Sequence, residues 1–484
     1  MSAAHEPVKI ASLIGGQWVN GTGADIASEN PAIEGQIVAA GNAATPADVD
    51  AAFAAARAAA HGWASTPMHA RGLVLSRAAA IIEENAEAWG AELTAEEGKS
   101  LAEGVGEVRR AAAVLRYQAE AANREQGSVF ASPRAGEQIL VTHKPLGVVG
   151  VITPFNFPIA IPAWKIAPAL IYGNTIVWKP ASAVPLLAYR LASALHSAGL
   201  PPGGLNLSPR GSPLRDATVD HAELDGLTFT GSTGVGRQLA GRAAGRGVPM
   251  QAEMGGKNAS VVLADADLDL GAEQVLFGAF RSTGQKCTAT SRLVLEESIA
   301  DEFLLRLRAL LANWKTGNPA SPGVDMGPVV SARAAEGIAR SVLDAVGQGA
   351  TVLMGAEPAE GAFLVPTVLA MPEGDAGEGN LAWNEELFGP VLAVRRVSGV
   401  AAAFEAANHG DLGLSCAVFT RDIATALSAV DGVDVGMLHV NSESAGADPH
   451  VPFGGAKRSG YGPKEQGLAS REFFTHTTTV YLRG

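Results

Sequence analysis

Several features that would point to other classes of protein are scarce or missing in this 484-residue sequence. There are only two cysteines, too few for a disulfide framework. The formal net charge of −13 argues against nucleic acid as a partner, which calls for clustered Lys and Arg. No apolar run reaches the roughly 18 to 20 residues of a membrane span, and residues 1–9 lack the pattern of a secretory signal. We therefore expect a cytoplasmic protein without a membrane partner, in a compartment where a reactive thiol persists.

What the chain does contain is a regular alternation of strands and helices. At this length two or three domains are expected. Residues 46–63 and 68–125 carry helical patterning, with Thr45 or Asp48 as the cap of the first helix. Beyond them strands alternate with helices, which implies right-handed βαβ crossovers and parallel sheets. The sequence thus predicts an α/β protein with two such domains, which meet near residues 254–257.

Short apolar runs give the predicted strands, and the segments between them give the predicted helices. Strands are predicted over 138–143, 147–152, 175–178, 226–230, 259–263, 292–295, 391–397 and 417–420, and helices over 184–198, 234–243, 268–283 and 299–314. The apolar tail, residues 472–481, is strand-like and would be an aggregation-prone edge if left alone. We expect it to pair with another strand, and a second subunit is one candidate source.

Two reactive side chains stand out: Cys287 in Ser-Thr-Gly-Gln-Lys-Cys-Thr, and Glu253 in Glu-Met-Gly-Gly-Lys. A thiolate can attack a carbonyl carbon, and a carboxylate can move protons for it. Because a free cysteine has a pKa of about 8.5, it is only slightly ionised at neutral pH. Lys286, a helix N-terminus or a cofactor could lower that pKa. Taken alone, a single cysteine is more often inert core, and a Glu before two glycines more often ends a helix or strand.

Asn156 lies in the segment 153–158, directly after the strand predicted to end at Ile152. Open α/β sheets bind ligands at the carboxyl ends of their strands. Asn156 could therefore donate its side-chain amide to an oxyanion, together with the backbone N–H of Cys287. Each such donor typically contributes about 3 kcal/mol to lowering a barrier. The alternative is a turn asparagine that satisfies its own backbone.

Two further segments suit a dinucleotide. Lys179 ends a predicted strand and Ser182 follows it, a pair that suits ribose hydroxyls or a 2′-phosphate. A carboxylate would repel a 2′-phosphate, so Ser182 favours NADP⁺, with NAD⁺ as the alternative. The glycine-rich residues 229–236 follow a strand and open a helix, where backbone N–H groups could meet a pyrophosphate. Without a ligand, these would be a solvated lysine and an ordinary strand–helix turn.

Two later segments add candidate contacts. Glu386 could hold the nicotinamide ribose, and Phe388 could pack on the ring. Adjacent acids before an apolar residue are ordinarily just the end of a helix, which is the competing interpretation. Phe453, in the glycine-rich residues 452–460, is a candidate wall of a substrate tunnel.

In this order and at these spacings, the segments resemble those of the aldehyde dehydrogenase superfamily over nearly the whole chain. The segments are TPFNFP, WKPAS, FTGSTGVG, EMGGKN, GQKC, EELFGPV and PFGGAKRSG. The resemblance implies that Cys287 is the nucleophile, Glu253 the general base and Asn156 the oxyanion donor. No metal site is predicted. The cofactor contacts expected on this basis are Ile152, Thr153, Pro154, Lys179, Ser182, Gly211, Phe229, Gly231, Ser232, Gly236, Glu386 and Phe388.

The same resemblance implies the architecture: two Rossmann-like parallel-sheet domains plus a small β oligomerisation arm, assembled as a homodimer or homotetramer. The predicted limits are 1–124 with 145–256 for the cofactor-binding domain, 257–440 for the catalytic domain, and 125–144 with 470–484 for the arm.

A finer resemblance, to bacterial α-ketoglutaric semialdehyde (2,5-dioxopentanoate) dehydrogenases, bears on the substrate. Arg281 resembles an arginine that holds the substrate carboxylate in succinic semialdehyde dehydrogenases, but the second arginine of that pocket is Trp164 here. Phe155 stands where a Trp is usual, and with Arg281 and Phe453 it is a candidate substrate contact. Another semialdehyde, such as succinic, and a broad range of aliphatic or aromatic aldehydes are the alternatives. The presence of Glu253 argues against the coenzyme A-acylating branch.

Two other classes of function remain to be weighed. A catalytically silent binding protein of the same fold would have no reason to keep Cys287, Glu253 and Asn156 together. A cysteine–histidine hydrolase or acyltransferase needs a histidine partner, and none of the ten histidines lies in a motif that suggests one.

Overall fold

A computed structural model describes residues 6–209 and 215–484, so that Gly211, a predicted cofactor contact, lies outside the described residues. The N-terminal part forms strands β1 (Val8–Lys9), β2 (Ser12–Ile14), β3 (Gln17–Val19), β4 (Asp25–Glu29) and β5 (Ile37–Asn42), then helices α1 (Pro46–Ser65), α2 (Met68–Glu84), α3 (Ala86–Glu97) and α4 (Leu101–Ala119). The predicted helical region is confirmed. Thr45 and Asp48 cap α1 jointly, since the hydroxyl of Thr45 accepts from the Asp48 N–H and the Asp48 carboxylate accepts from the Thr45 N–H.

The middle of the chain alternates strands and helices, as predicted. Its elements are β6 (Gly127–Ala131), β7 (Glu137–Pro145), β8 (Val148–Ile152), α5 (Ala160–Ile171), β9 (Thr175–Lys179), α6 (Pro185–Ser197), β10 (Leu205–Leu207), α7 (Arg215–Val219), β11 (Gly226–Gly231), α8 (Thr233–Gly245), β12 (Met250–Met254), β13 (Asn258–Val262), α9 (Leu268–Phe280), β14 (Thr290–Glu296) and α10 (Ala300–Leu311).

The remaining elements complete both large sheets and the arm. They are α11 (Ala332–Gly347), β15 (Thr351–Met354), β16 (Thr367–Ala370), α12 (Asp375–Glu378), α13 (Leu381–Asn384), β17 (Val391–Val397), α14 (Val400–Asn408), β18 (Leu412–Gly413), β19 (Ser415–Phe419), α15 (Ile423–Gly432), β20 (Met437–Val440), β21 (Ala456–Lys457), β22 (Gly460–Tyr461), α16 (Ala469–Phe474) and β23 (Thr475–Arg483).

The first large sheet contains the strands that precede the predicted cofactor segments. Its order is β22-β12-β11-β8-β9-β10-β2-β3, and the strands from β12 to β10 run parallel. β8, β9 and β12 are buried along their whole length, because helices cover both faces of a parallel sheet. Helix α5, also buried throughout, belongs to the hydrophobic core on this sheet.

The second large sheet has the order β15-β16-β17-β14-β13-β19-β20, and all its pairs are parallel except that of β15. Residues 255–257 connect β12 of the first sheet to β13 of the second. The predicted α/β class with two parallel sheets is confirmed. The domain limits stay predictions, and β22 shows that the chain returns to the first sheet after residue 440.

A third, antiparallel sheet of β23, β7 and β6 forms the small β arm. The tail does pair with a strand, which is β7 of the same chain. The predicted strand also began too early, since residues 472–474 end α16. Phe473 and Phe474 are both buried, whereas a strand would place neighbouring side chains on opposite faces.

Helix α9 was predicted to run to residue 283 but ends at Phe280. Ser282 and Thr283 have φ angles of +54° and +55°, in the left-handed region that an α-helix cannot contain. A tight turn over 281–284 leads instead towards Cys287. Across 6–209 and 215–484, no helix is both long and apolar enough to cross a membrane.

Candidate active site

The predicted residues of the first sheet lie side by side at its carboxyl edge. Ile152 of β8 is in register with Lys179 of β9 on one side and with Phe229 of β11 on the other. On the next strand, β12, Glu253 is paired with Thr230, the residue after Phe229. The parallel register therefore brings the predicted base and the predicted cofactor strands to one edge, where ligands bind in such sheets.

The turn after β8 connects this edge to the segment that contains Cys287. Thr153 accepts a hydrogen bond from the indole N–H of Trp178 at 2.9 Å, which holds the start of the turn. Asn156 is buried, and its Nδ2 donates to the carbonyl oxygen of Gln285 at 2.8 Å. The side-chain amide of Asn156 is thus held against Gln285, which lies two residues before Cys287 in the chain.

Cys287 is half-buried and lines a cavity of about 550 Å³. Its backbone is fixed from the second sheet, because Nδ2 of Asn258 on β13 donates to the carbonyl oxygens of Cys287 at 2.8 Å and Ala289 at 2.9 Å. A Cβ on Gly256 would lie 3.0 Å from the Cys287 carbonyl oxygen. The junction between the sheets therefore packs closely against the cysteine segment.

The surroundings of the Cys287 thiol raise its pKa to about 12, chiefly through burial and then through the carboxylates of Glu386 and Glu253. The expectation that Lys286 lowers this pKa is wrong. Its Nζ donates to the Phe277 carbonyl oxygen at 3.2 Å and lies 3.5 Å from the Glu443 carboxylate. With these neighbours the thiol is protonated at neutral pH, so its reaction needs a proton acceptor.

Glu253 is buried, and its carboxylate accepts a hydrogen bond from the Gly455 N–H at 3.0 Å. A Cβ on Gly454 would overlap the same carboxylate. The glycine-rich segment 452–460 therefore wraps the predicted base. Burial, followed by the charge of Glu465, raises the pKa of Glu253 well above its ordinary value. A carboxyl group with a raised pKa is a stronger proton acceptor once ionised.

Glu386 lies against the residues that join the two sheets. Its carboxylate accepts from the Gly256 N–H at 3.1 Å, and a Cβ on Gly255 would overlap it. Burial raises the pKa of Glu386 to about 7. Phe388, which has a φ of +54°, packs edge-to-face on Phe155 with 5.7 Å between ring centroids. A predicted cofactor contact thus touches a predicted substrate contact.

The start of α8 fits a pyrophosphate. Ser232 is its N-cap, yet the serine side chain makes no capping hydrogen bond. A Cβ on Gly234, in the first turn, would meet no atom within 4 Å. By contrast, a Cβ on Gly236 would lie 2.5 Å from the Met254 sulfur, so the helix packs closely on β12 further along. Open space beside unsatisfied N–H groups of a helix start suits an anion.

The strand end at Lys179 lies at the same edge. Its side chain is buried, and its Nζ donates to the Pro180 carbonyl oxygen at 3.2 Å. Ser182 is exposed in the turn that follows. Gly231 fits only as glycine, because a Cβ there would lie 2.6 Å from the Phe229 ring.

Phe453 and Arg281 lie in the cavity that contains Cys287, together with Trp164. The rings of Phe453 and Trp164 are 5.4 Å apart. The guanidinium of Arg281 stacks 3.7 Å from the Phe277 ring and lies 3.7 Å from the Glu443 carboxylate. Phe155 packs on Phe388 and is not among the residues that line this cavity.

Two buried ion pairs near the site were not predicted from the sequence. In the first, Lys99 donates to Glu107 at 2.7 Å and also to the backbone carbonyl of Asn156. Glu107, on α4, accepts in turn from the backbone N–H groups of Ile159 and Ala160, at 3.1 and 3.2 Å. Helix α4 and the residues before it therefore hold the Asn156 turn in place.

In the second pair, Lys165 of α5 contacts the carboxylate of Glu465, and both side chains are fully buried. The other oxygen of Glu465 accepts from the indole N–H of Trp164 at 2.6 Å. Glu465 also raises the pKa of Glu253. The partners are 300 positions apart, and no local sequence pattern connects them.

The sequence and the fold of this chain are both similar to those of known proteins. The sequence pattern of the aldehyde dehydrogenase family matches residues 18–480. The α-ketoglutaric semialdehyde dehydrogenase of Bacillus subtilis is 38% identical over the full length of both chains. The 2,5-dioxopentanoate dehydrogenase of Saccharolobus solfataricus is 37% identical, covering 96% of this chain and 98% of its own. Among solved structures, betaine aldehyde dehydrogenase of Staphylococcus aureus in complex with NAD⁺ superposes with a TM-score of 0.94 at 29% identity, covering 98% of this chain and 94% of its own.

Proposed function

Because this chain belongs to the aldehyde dehydrogenase family, we propose that it oxidises an aldehyde to the free carboxylic acid with NADP⁺ or NAD⁺, through a covalent adduct on Cys287. One observation carries the proposal: Nδ2 of Asn156 is bonded to the carbonyl oxygen of Gln285, 2.8 Å away and two residues before the cysteine. The oxyanion donor and the nucleophile are thereby held together at the sheet edge that also contains Glu253.

In the first half of the reaction, the Cys287 sulfur attacks the aldehyde carbon. Because the thiol pKa is raised to about 12, its proton must leave as the bond forms, and it passes to solvent through the cavity that Cys287 lines. The oxyanion of the thiohemiacetal then accepts hydrogen bonds from the Asn156 amide and the Cys287 N–H, each contributing about 3 kcal/mol. A bound nicotinamide dinucleotide would supply the hydride acceptor, and loss of hydride from the former aldehyde carbon would leave a thioester on Cys287.

The residues that would hold that dinucleotide are the ones gathered at the carboxyl edge of the first sheet. The open start of α8 at Ser232 suits the pyrophosphate, and Lys179 with Ser182 suits the adenosine ribose. Glu386 remains the candidate for the nicotinamide ribose.

In the second half, Glu253 activates water, and the thioester on Cys287 is hydrolysed. The Gly455 N–H orients the Glu253 carboxylate, and the pair of Lys165 and Glu465 lies next to it. A base positioned in this way typically contributes roughly 10²- to 10⁴-fold. The presence of Glu253 supports hydrolysis of the thioester to the free acid over transfer of the acyl group to coenzyme A.

For the substrate, we propose α-ketoglutaric semialdehyde. Support comes from the Bacillus and Saccharolobus relatives, which are similar over their whole length, and from the cationic side chains of the cavity. Another semialdehyde, such as succinic, or a broad aliphatic or aromatic aldehyde is the second candidate. We also keep the prediction of a homodimer or homotetramer.

The test is a panel of aldehydes with the purified full chain, with NADP⁺ or NAD⁺, followed by absorbance of the reduced nicotinamide. We expect the highest kcat/KM for α-ketoglutaric semialdehyde and release of the free acid, measured by chromatography. A chain that reduces neither cofactor with any aldehyde would refute the proposed activity. A higher kcat/KM with uncharged aldehydes would refute only the proposed substrate.

Cofactor preference depends on Ser182 in this proposal. In Ser182→Glu, a carboxylate would face the 2′-phosphate of NADP⁺. We expect the ratio of kcat/KM for NADP⁺ over NAD⁺ to fall at least about tenfold, which corresponds to roughly 1.4 kcal/mol of repulsion. Ser182→Ala is the matched control, and its ratio should stay close to that of the natural chain. An unchanged ratio in Ser182→Glu would refute the role of this position.

A further inference from the structure

Five cationic side chains line the cavity that contains Cys287, and each of them lies within 4.0 Å of a carboxylate. Lys99 is 2.7 Å from Glu107, and Arg109 is 2.8 Å from Glu87. Lys286 and Arg281 lie 3.5 and 3.7 Å from the two oxygens of Glu443. The fifth cation is Arg110 of α4, and it differs from the others.

The guanidinium of Arg110 is poorly satisfied. Its Nη2 is shielded from solvent and has no hydrogen-bond acceptor among the residues that the structure describes. Its Nη1 lies 3.6 Å from the carboxylate of Asp448, beyond hydrogen-bond distance, and Asp448 is itself 67% exposed. Leaving a shielded donor of a charged group unpaired is costly unless a ligand satisfies it.

Other arginines with a shielded, unpaired nitrogen do not share this property. Arg124, Arg306 and Arg471 each have one such nitrogen, but each donates to an oxygen through another nitrogen. For Arg110, the contact with Asp448 is the one ion pair found among described residues, and it is long. Arg110 therefore combines a shielded, unpaired Nη2 with the absence of any hydrogen bond from the rest of its guanidinium to the residues that the structure describes.

We propose that Arg110 binds the distal carboxylate of the substrate and thereby determines specificity for ω-oxo acids. This inference rests on the proposed function, because it assumes that the aldehyde carbon reaches Cys287 in the same cavity. A guanidinium presents parallel N–H donors that match a carboxylate. Phe453 and Trp164 provide apolar walls for the carbon chain between the two ends.

Arg281, the arginine suggested by sequence, is less suited to this role. Its side chain is 44% exposed, stacks on Phe277 and shares Glu443 with Lys286. A substrate carboxylate would have to compete with Glu443 for it. Asp448, the carboxylate beside Arg110, is 67% exposed and is not among the residues that line the cavity, whereas Glu443 is.

The test compares Arg110→Met with Arg109→Met, its neighbour on α4, which lines the same cavity but is 55% exposed and paired with Glu87. The substrates are α-ketoglutaric semialdehyde, succinic semialdehyde and pentanal. We expect Arg110→Met to lose about 10- to 100-fold in kcat/KM for both semialdehydes, mainly through KM, and to keep its activity on pentanal. Arg109→Met should stay within about fivefold for all three, as for an exposed pair.

Two further measurements keep the inference testable if Arg110→Met fails to fold. Arg110→Lys retains the positive charge but lacks the parallel N–H donors of a guanidinium. It should therefore recover part of the semialdehyde activity that Arg110→Met loses. In the natural chain, glutarate should inhibit competitively with the aldehyde, and the uncharged glutaramide should not.

Equal losses on semialdehydes and pentanal in Arg110→Met would assign a merely structural role and overturn the inference. Unchanged discrimination between them would overturn it as well. The proposed function is judged separately, from the natural chain alone: if that chain oxidises semialdehydes while Arg110→Met discriminates equally well, only the inference fails.

Discussion

Replacing Cys287 by alanine should abolish aldehyde-dependent reduction of NAD(P)⁺, with a loss on the order of 10⁵- to 10⁶-fold in kcat. No other described side chain can take its place at the Asn156 turn, because the remaining cysteine, Cys416, is buried on β19 of the second sheet. Steady-state assays on the folded variant, with folding checked by circular dichroism, measure the effect.

The second cysteine offers a matched control. Cys416→Ala removes the same sulfur from a site where it only fills space, packed in the core of the second sheet. We expect its kcat to match the natural chain, with a modest loss of thermal stability from the small cavity. Retention of activity in Cys287→Ala, or equal losses in the two variants, would remove the basis for covalent catalysis.

Glu253→Gln should separate the two halves of the reaction. Glutamine is isosteric and can still accept the Gly455 N–H bond through its oxygen, but it cannot take a proton from water. Hydrolysis of the thioester should slow by roughly 10²- to 10⁴-fold. Rapid-mixing experiments should then show a stoichiometric burst of reduced nicotinamide, followed by very slow turnover. Mass spectrometry should detect the acyl group on Cys287.

The pH dependence of the natural chain gives an independent check on the same residue. Burial raises the pKa of Glu253, and only the ionised form acts as a base. Turnover should therefore rise with pH across a range well above the ordinary glutamate pKa of about 4.3. In Glu253→Gln that rise should vanish from the slow phase. A variant that shows neither a burst nor accumulated acyl-enzyme, yet turns over normally, would contradict the role of Glu253 as a base.

The parts of the fold that could be predicted are those encoded by local patterns. Buried apolar runs gave β8, β9 and β11, and the glycines after β11 indicated the start of α8. Once parallel register is assumed, the strand ends must share one edge, so the neighbourhood of Ile152, Lys179 and Glu253 also follows from the sequence.

Two local predictions failed because competing physical effects decided the conformation. The helix predicted for α9 extends past Phe280 to Thr283, but Ser282 and Thr283 adopt left-handed backbone angles, which the residue types alone do not reveal. The tail has high strand propensity throughout. Burial of both Phe473 and Phe474 nevertheless makes a helical turn the better solution there.

The electrostatics of the site could not be predicted, because its partners are distant in sequence. Lys286 is next to Cys287 in the chain, but its side chain points to Phe277 and Glu443. Conversely, Lys99 and Glu107 look like ordinary surface charges of a helical region, although both are buried. A hydrophobic pattern shows which face of a helix is covered, but it does not show which charged group lies across from it.

The placement of Glu107 and Arg110 one turn apart on α4 has a consequence for how this lineage can diversify. Glu107 holds the turn that contains Asn156, and Arg110 binds the distal carboxylate of the substrate. A shift of the whole helix would disturb the Asn156 turn and the binding of the carboxylate at once. Replacing the side chain at position 110 changes the binding of the carboxylate and leaves the turn in place. New preferences for chain length or charge are therefore expected to arise by single replacements on a rigid scaffold, and not by backbone rearrangement.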